Sequence, residues 1–303
     1  MLDDLLARFG KRDRLALARL LTLVARGEHL DAIRLALAAA DSAASRPAPP
    51  VVALTGNAGV GKSTLVGKLA EYLRGQGQSV AVLACDPQSP LTGGALLGDR
   101  VRMPSRPDDL GLYIRSLAAV SGNQAVAEHV ELMIRLLAGF GFDVILLETV
   151  GAGQGDTAVR ELADVVVLLV QPETGDELQW EKAGLLEVAD VVVVHKADLA
   201  GAERMESQVR ELLTLPGCRE ITVLRVSSTK QQGLAELWAA ILACPRHDAR
   251  VGDARALLRR AQQVLAERFA DRVQRVGPVV DRWKRHELDE AQAADELLQL
   301  LIR

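Results

Sequence analysis

Residues 56–64 read Gly-Asn-Ala-Gly-Val-Gly-Lys-Ser-Thr and fit G-x-x-x-x-G-K-[ST]. Gly56, Gly59 and Gly61 let the backbone turn sharply and aim its N–H groups at phosphate oxygens, and a helix beginning there adds the positive end of its dipole. Asn57, Ala58, Val60 and Thr64 complete that cradle. Lys62 is expected to bridge the β- and γ-phosphates, and the Ser63 hydroxyl to coordinate Mg²⁺. The chemistry implied is binding and cleavage of a nucleoside triphosphate.

Mg²⁺ takes oxygen ligands, so carboxylates are needed beside the phosphates. Asp86 and Glu148 close apolar runs, and Asp99 lies in the loop Thr92-Gly93-Gly94-Ala95-Leu96-Leu97-Gly98-Asp99. An acidic residue at the C-terminal end of a buried parallel strand faces the ligand crevice, where an unpaired charge is costly. Asp86 and Glu148 are therefore candidate metal ligands with Ser63. Asp99 stays open between that role and a turn residue. Glu148-Thr149-Val150-Gly151 reads as a D-x-x-G switch with Glu in the Asp place, which sets the Gly151 amide to sense the γ-phosphate. Gln154 is a candidate to orient the attacking water, with a solvated loop glutamine equally open.

Base choice falls to the run Val191-Val192-Val193-Val194 and the H-K-x-D that follows, His195-Lys196-Ala197-Asp198. Most GTPases have N-K-x-D here. The Asp198 carboxylate can accept from guanine N1–H and the 2-amino group, donors that adenine lacks, while Lys196 methylenes cover the base. A buried acceptor rejects the analogue without its donor, so GTP is expected over ATP. His195 departs from the pattern: an imidazole can donate one hydrogen bond, toward N7 or toward the P-loop, and has fewer polar sites than an amide. Ser227-Ser228-Thr229 stands where a further base-contacting loop is expected.

The elements that must hold these residues are legible as short apolar runs at 51–55, 79–85, 112–117, 144–147, 165–170, 191–194 and 221–226, mostly separated by helical lengths. Strands buried on both faces give such runs. The fold class expected is α/β, a P-loop NTPase with a mainly parallel, doubly wound sheet and phosphates at strand C-terminal ends. Residues 2–44 carry helical spacing interrupted near Gly10 and Gly27, predicting two or three amphipathic helices. Ser45-Arg46-Pro47-Ala48-Pro49-Pro50 then breaks the helix, and Pro245 marks a second boundary. The domains expected are an N-terminal helical extension at 1–46, a nucleotide-binding domain at 47–245 and a C-terminal helical arm at 246–303.

With 49% hydrophobic and 3% aromatic residues, the chain suits helices on buried parallel strands and not a β-sandwich. A net charge of −4 offers no global basic field for nucleic acid or an anionic membrane. Cys85, Cys218 and Cys244 are far apart and read as small core residues, without disulfide or zinc spacing. His29, His129, His247 and His286 read as surface or packing residues. No signal peptide is legible and no apolar run reaches the ~18 residues of a spanning helix, so a cytoplasmic protein is expected.

The P-loop, Asp86-Pro87-Gln88-Ser89-Pro90-Leu91-Thr92-Gly93-Gly94-Ala95-Leu96-Leu97-Gly98-Asp99-Arg100, Glu148-Thr149-Val150-Gly151-Ala152-Gly153-Gln154 and Gly175-Asp176-Glu177-Leu178-Gln179 together closely resemble the MeaB/ArgK family of metallochaperone GTPases. The resemblance spans almost the whole chain. It implies a Mg²⁺-dependent conversion of GTP to GDP that gates adenosylcobalamin loading into an acyl-CoA mutase of the methylmalonyl-CoA mutase type and protects that mutase. It further implies a third switch at 171–183 with Lys182 reaching the nucleotide or another switch, a homodimer built by the C-terminal arm, and an adenosyltransferase as a further partner. His195 for Asn, Gln88 for Ser, and Trp180-Glu181 for small and apolar residues depart from the family pattern. They are compatible with a mutase for a branched or hydroxylated acyl-CoA, and equally with neutral drift. Alternatives left open are a phosphotransferase acting on a transport protein, a nickel-type maturation GTPase, which the chain's lack of His-rich or paired-Cys sites disfavours, and a nucleotide-bound adaptor without hydrolysis.

Overall fold

A computed structural model describes residues 2–41, 47–87, 109–119, 129–149, 156–172, 185–214, 220–245 and 273–302, together with 261 and 265. The chain divides into two compact units, Met1–Asp248 and Ala249–Arg303.

The first unit opens with α1 (Leu2–Gly10), α2 (Arg14–Ala25) and α3 (Leu30–Asp41). Asp13 starts α2 by accepting from the amides of Leu15 and Ala16, which otherwise have no intrahelical partner. Strand β1 (Val51–Gly56) leads into α4 (Lys62–Gly75), whose first turn Lys62 itself opens. There follow β2 (Val80–Pro87), β3 (Leu112–Ala119), α5 (Val130–Phe140), β4 (Val144–Glu148), α6 (Asp156–Leu162) and β5 (Val165–Val170). The unit ends with α7 (Leu185–Val188), β6 (Val191–His195), α8 (Ala202–Leu213), β7 (Thr222–Val226) and α9 (Leu234–Ala243).

All seven expected strands are present, in one sheet of order β3-β2-β4-β1-β5-β6-β7. Every neighbouring pair is parallel. Side chains alternate between the two faces of such a sheet. Ala53, Ala81, Leu83, Ile145 and Leu147 join the core that also holds Leu17, Leu20 and Leu21 of α2 and Met133 and Leu136 of α5. Val52, Leu54, Val80, Val82 and Leu146 join the opposite core with Leu65 and Leu69 of α4 and Leu237 and Trp238 of α9. Burying one Leu is worth about 1.5–3 kcal/mol, so α2 contributes substantially to the core of this unit. The edge strand β7 breaks the fully buried pattern, leaving Thr222 and Arg225 exposed.

Register is fixed at the sheet's lower end by aspartates that precede their strands. Asp143 accepts from the Ser79 amide at 2.6 Å, Asp164 from Val51 at 2.7 Å and Asp190 from Val166 at 2.9 Å. Each pairs a main-chain donor that would otherwise lack a ladder partner. At the other edge, Arg14 of α2 donates to the carbonyls of Leu110 and Leu112, so α2 covers part of β3. Such cover blunts an edge that could otherwise recruit another strand.

The second unit contains α10 (Val273–Lys284) and α11 (Glu290–Ile302), which pack on each other, with Arg282 and Glu296 paired at 2.7 Å. The helical character expected for the C-terminal region is present there. Among the described residues, no helix is long and apolar enough to cross a membrane.

Candidate functional site

Because β1 sits between β4 and β5 and all strands run the same way, the C-terminal ends of β1, β4 and β6 open on one rim of the sheet. In open parallel sheets that rim, where strand order reverses, is where ligands bind. The rim carries Gly56 after β1, Glu148 ending β4 and His195 ending β6.

The turn from β1 into α4 depends on glycine at two positions. Gly56 has φ 143°, and a Cβ there would lie 2.4 Å from the Leu169 carbonyl oxygen of β5. Gly61, the residue before α4, has φ 98°, and its Cβ would meet the His195 ring at 2.6 Å. Both positions therefore demand the left-handed conformation and close backbone approach that only glycine gives cheaply.

Lys62 is buried and donates through Nζ to the carbonyls of Gly56 and Asn57, at 2.9 and 3.1 Å. The ammonium thus lies over the concave side of its own loop. Ser63 Oγ donates to Glu148 Oε1 at 2.6 Å across 85 residues of sequence, and both side chains are buried. Behind them Thr149 Oγ1 donates to Thr55 Oγ1 at 3.1 Å, and the Thr149 amide to the Leu54 carbonyl. This hydroxyl pair ties the start of the segment after β4 to the strand below the P-loop. Sequence reading assigned Thr55 and Thr149 no role, although a threonine ending an otherwise aliphatic strand was a usable signal. Asn57 is half-buried and Ala58, Gly59 and Thr64 are exposed, so the loop presents its backbone to solvent.

At the other end, the His195 ring lies between the P-loop and the loop after β7. Its Nδ1 is 2.7 Å from the Val60 carbonyl and its Nε2 2.7 Å from Ser228 Oγ. A carbonyl only accepts, so Nδ1 holds the proton and Nε2 accepts from the serine hydroxyl. Burial pushes the imidazole below its ordinary value, which favours the neutral ring. Lys196, held at φ 55°, extends to the Gly59 carbonyl at 3.2 Å, drawing its stem across the P-loop. Asp198 is exposed and accepts from Ser227 Oγ at 2.5 Å, a bond that holds its carboxyl below the usual carboxylate range. Ser227 in turn contacts Thr229 Oγ1 at 3.0 Å and accepts from the Lys230 amide, forming a compact turn.

Of the residues singled out in the sequence, the structure thus brings Lys62, Ser63 and Glu148 together, and separately His195, Lys196, Asp198, Ser227, Ser228 and Thr229. Asp86 stands in the last turn of pairing of β2, opposite Ala118 of β3. Gln88, Asp99, Gly151, Gln154, Trp180, Glu181 and Lys182 lie outside the described residues. Cys85 is buried and Cys244 half-buried, neither in a disulfide, while Cys218 and His247 lie outside the described residues. His29 and His286 are exposed and His129 is half-buried.

The model of the family described as methylmalonyl Co-A mutase-associated GTPase MeaB matches residues 17–277. The chain belongs to the MeaB family. A relative from Pyrococcus abyssi, provisionally named a GTPase, is 41% identical over 249 residues, covering 80% of this chain and 75% of that protein. The mouse methylmalonic aciduria type A homolog, mitochondrial, is 39% identical over 194 residues, covering 62% and 47%. The fused isobutyryl-CoA mutase of Geobacillus kaustophilus is 36% identical over 217 residues, covering 70% of this chain and 20% of that protein. A LAO/AO transport system kinase, solved by crystallography, superposes with TM-score 0.67 at 22% identity, covering 100% and 98%. At that identity the likeness concerns the fold, and it agrees with the parallel P-loop architecture. MeaB-family membership and the P-loop fold together support nucleotide hydrolysis by this chain.

Proposed function

We propose that the chain binds GTP across the sheet rim, hydrolyses it to GDP, and thereby times the loading of adenosylcobalamin into an acyl-CoA mutase. The observation that carries the reading is the convergence on one rim of a buried P-loop lysine, the Ser63–Glu148 pair and the exposed Asp198 carboxylate. With phosphate present, Lys62 exchanges its carbonyl partners for phosphate oxygens, because a charged acceptor makes the stronger bond. Amides at the start of α4 hold the same oxygens, and their fixed dipoles offset charge that develops during transfer.

Ser63 and Glu148 offer hard oxygen atoms of the kind Mg²⁺ prefers. With its proton directed to Glu148, the Ser63 hydroxyl keeps lone pairs for a cation. Bound there with Asp86 or Asp99 nearby, Mg²⁺ would neutralise phosphoryl charge. Gln154 orients the attacking water in this reading, and Asp198 accepts from the Watson–Crick edge of guanine while Ser227, Ser228 and Thr229 shape the turn around it.

The mutase assignment draws on relatives. One is named a fused isobutyryl-CoA mutase, and the segment resembling this chain is one part of it. In this proposal the chain serves an acyl-CoA mutase as the matching segment is joined to one in that relative, with the C-terminal arm pairing two copies and an adenosyltransferase supplying cofactor. GTP turnover of the purified chain, measured with and without the acyl-CoA mutase that co-purifies from the native source, tests it. Turnover should be slow alone and rise several-fold with the mutase. No rise with any acyl-CoA mutase would remove the chaperone role, and no turnover of GTP would remove hydrolysis.

A further inference from the structure

A neutral imidazole has one N–H and one nitrogen lone pair for hydrogen bonding. In His195 both are committed within the protein, Nδ1–H to the Val60 carbonyl and Nε2 to the Ser228 hydroxyl, each at 2.7 Å. The residue is 3% exposed, and the ring edge lies so close to the Gly61 backbone that a Cβ there would be 2.6 Å from Cε1. Turning the ring toward a bound base would strand a buried carbonyl and a buried hydroxyl, each carrying the desolvation cost of an unpaired polar group. Burial also disfavours the second proton that would add a donor. An amide at this place differs in kind. Its two N–H groups and one oxygen can brace the P-loop and still donate outward.

We propose that this chain recognises guanine without a side-chain hydrogen bond to N7, His195 serving as a positioning residue that ties the P-loop to residues 227–229 while Asp198 alone carries base identity. The inference rests on the GTP reading above and deepens it. Guanine is then read along one edge only, the edge bearing N1–H and the 2-amino group. Nucleotides altered at position 7 become acceptable ligands, whereas those altered at position 2 do not.

The test is equilibrium binding of GDP, 7-deaza-GDP and ADP to the full-length chain. GDP and 7-deaza-GDP should bind within about two-fold of each other and ADP far more weakly. His195→Asn should restore a preference for GDP over 7-deaza-GDP of about two- to ten-fold, the range expected of one neutral hydrogen bond. A second measurement needs no variant: the ¹⁵N shifts of the His195 ring should report the Nδ1–H tautomer both before and after GDP binds. If wild-type protein binds GDP ten-fold tighter than 7-deaza-GDP, or the tautomer changes on binding, the inference falls while the GTP reading stands. If GDP does not bind, both fall.

Discussion

The phosphate end of the rim and its base end are built from different materials. Around Lys62 and Ser63, which the P-loop pattern itself supplies, the contacts run to main-chain carbonyls and to Glu148. Around Asp198 they run from side chain to side chain, through His195, Ser227, Ser228 and Thr229. In the proposed function the first end provides affinity and chemistry for any nucleoside triphosphate. In the proposed function the second decides which one, and it holds His195 where the N-K-x-D pattern has Asn.

That division should be visible in variants. Lys62→Ala should lower GTP turnover by roughly 10²–10³-fold, the scale of losing one preorganised electrostatic donor, while thermal stability changes little. An equal loss of folding in a melt would show the lysine to be structural instead. Asp198→Asn should cost about 10- to 100-fold in GDP affinity, since hydrogen bonds to a charged group are worth about 1.5–3 kcal/mol, and should raise relative affinity for xanthosine nucleotides, whose 2-oxo group accepts from an amide. Nucleotide competition would measure both. His195→Ala should destabilise the fold by about 1–3 kcal/mol by stranding the Val60 carbonyl and Ser228 hydroxyl, read by chemical denaturation.

The smallest effect is acid sensitivity. His195 has a folded-state value below the ordinary imidazole value of about 6.5, so between the two the unfolded chain binds the extra proton. Its contribution to stability is complete above about pH 6.5 and is lost as pH falls toward the folded value. Wild-type protein should therefore lose more in melting temperature between pH 7.5 and 5.5 than His195→Asn does. Equal losses would mean that the ring is not desolvated.

The strands were legible because a strand covered on both faces must be apolar throughout, and runs such as Val191-Val192-Val193-Val194 have no other soluble use. Lys62 and Ser63 were legible because phosphate chemistry fixes their spacing along the chain. The partners of His195 were not, since Val60 lies 135 residues away and Ser228 lies 33 away, distances that no local pattern encodes. Of the two partners open for His195 in the sequence, N7 and the P-loop, the structure shows the P-loop carbonyl of Val60 at 2.7 Å. Asp143, Asp164 and Asp190 escaped notice for a related reason: an aspartate before a strand reads as a turn residue until the neighbouring strand's amide is in place.

The bond from the Val51 amide to Asp164 spans 113 residues. Ribosomes add about 5–20 residues per second, so the central strand waits roughly 6–20 seconds for the carboxylate that closes it. Throughout that interval the aliphatic strand has its neighbour β5 still unmade. The three helices made before it are finished by then, and they are the first surface against which it can be sheltered. Slower synthesis would lengthen the time the central strand stands without that partner, and faster synthesis would shorten it.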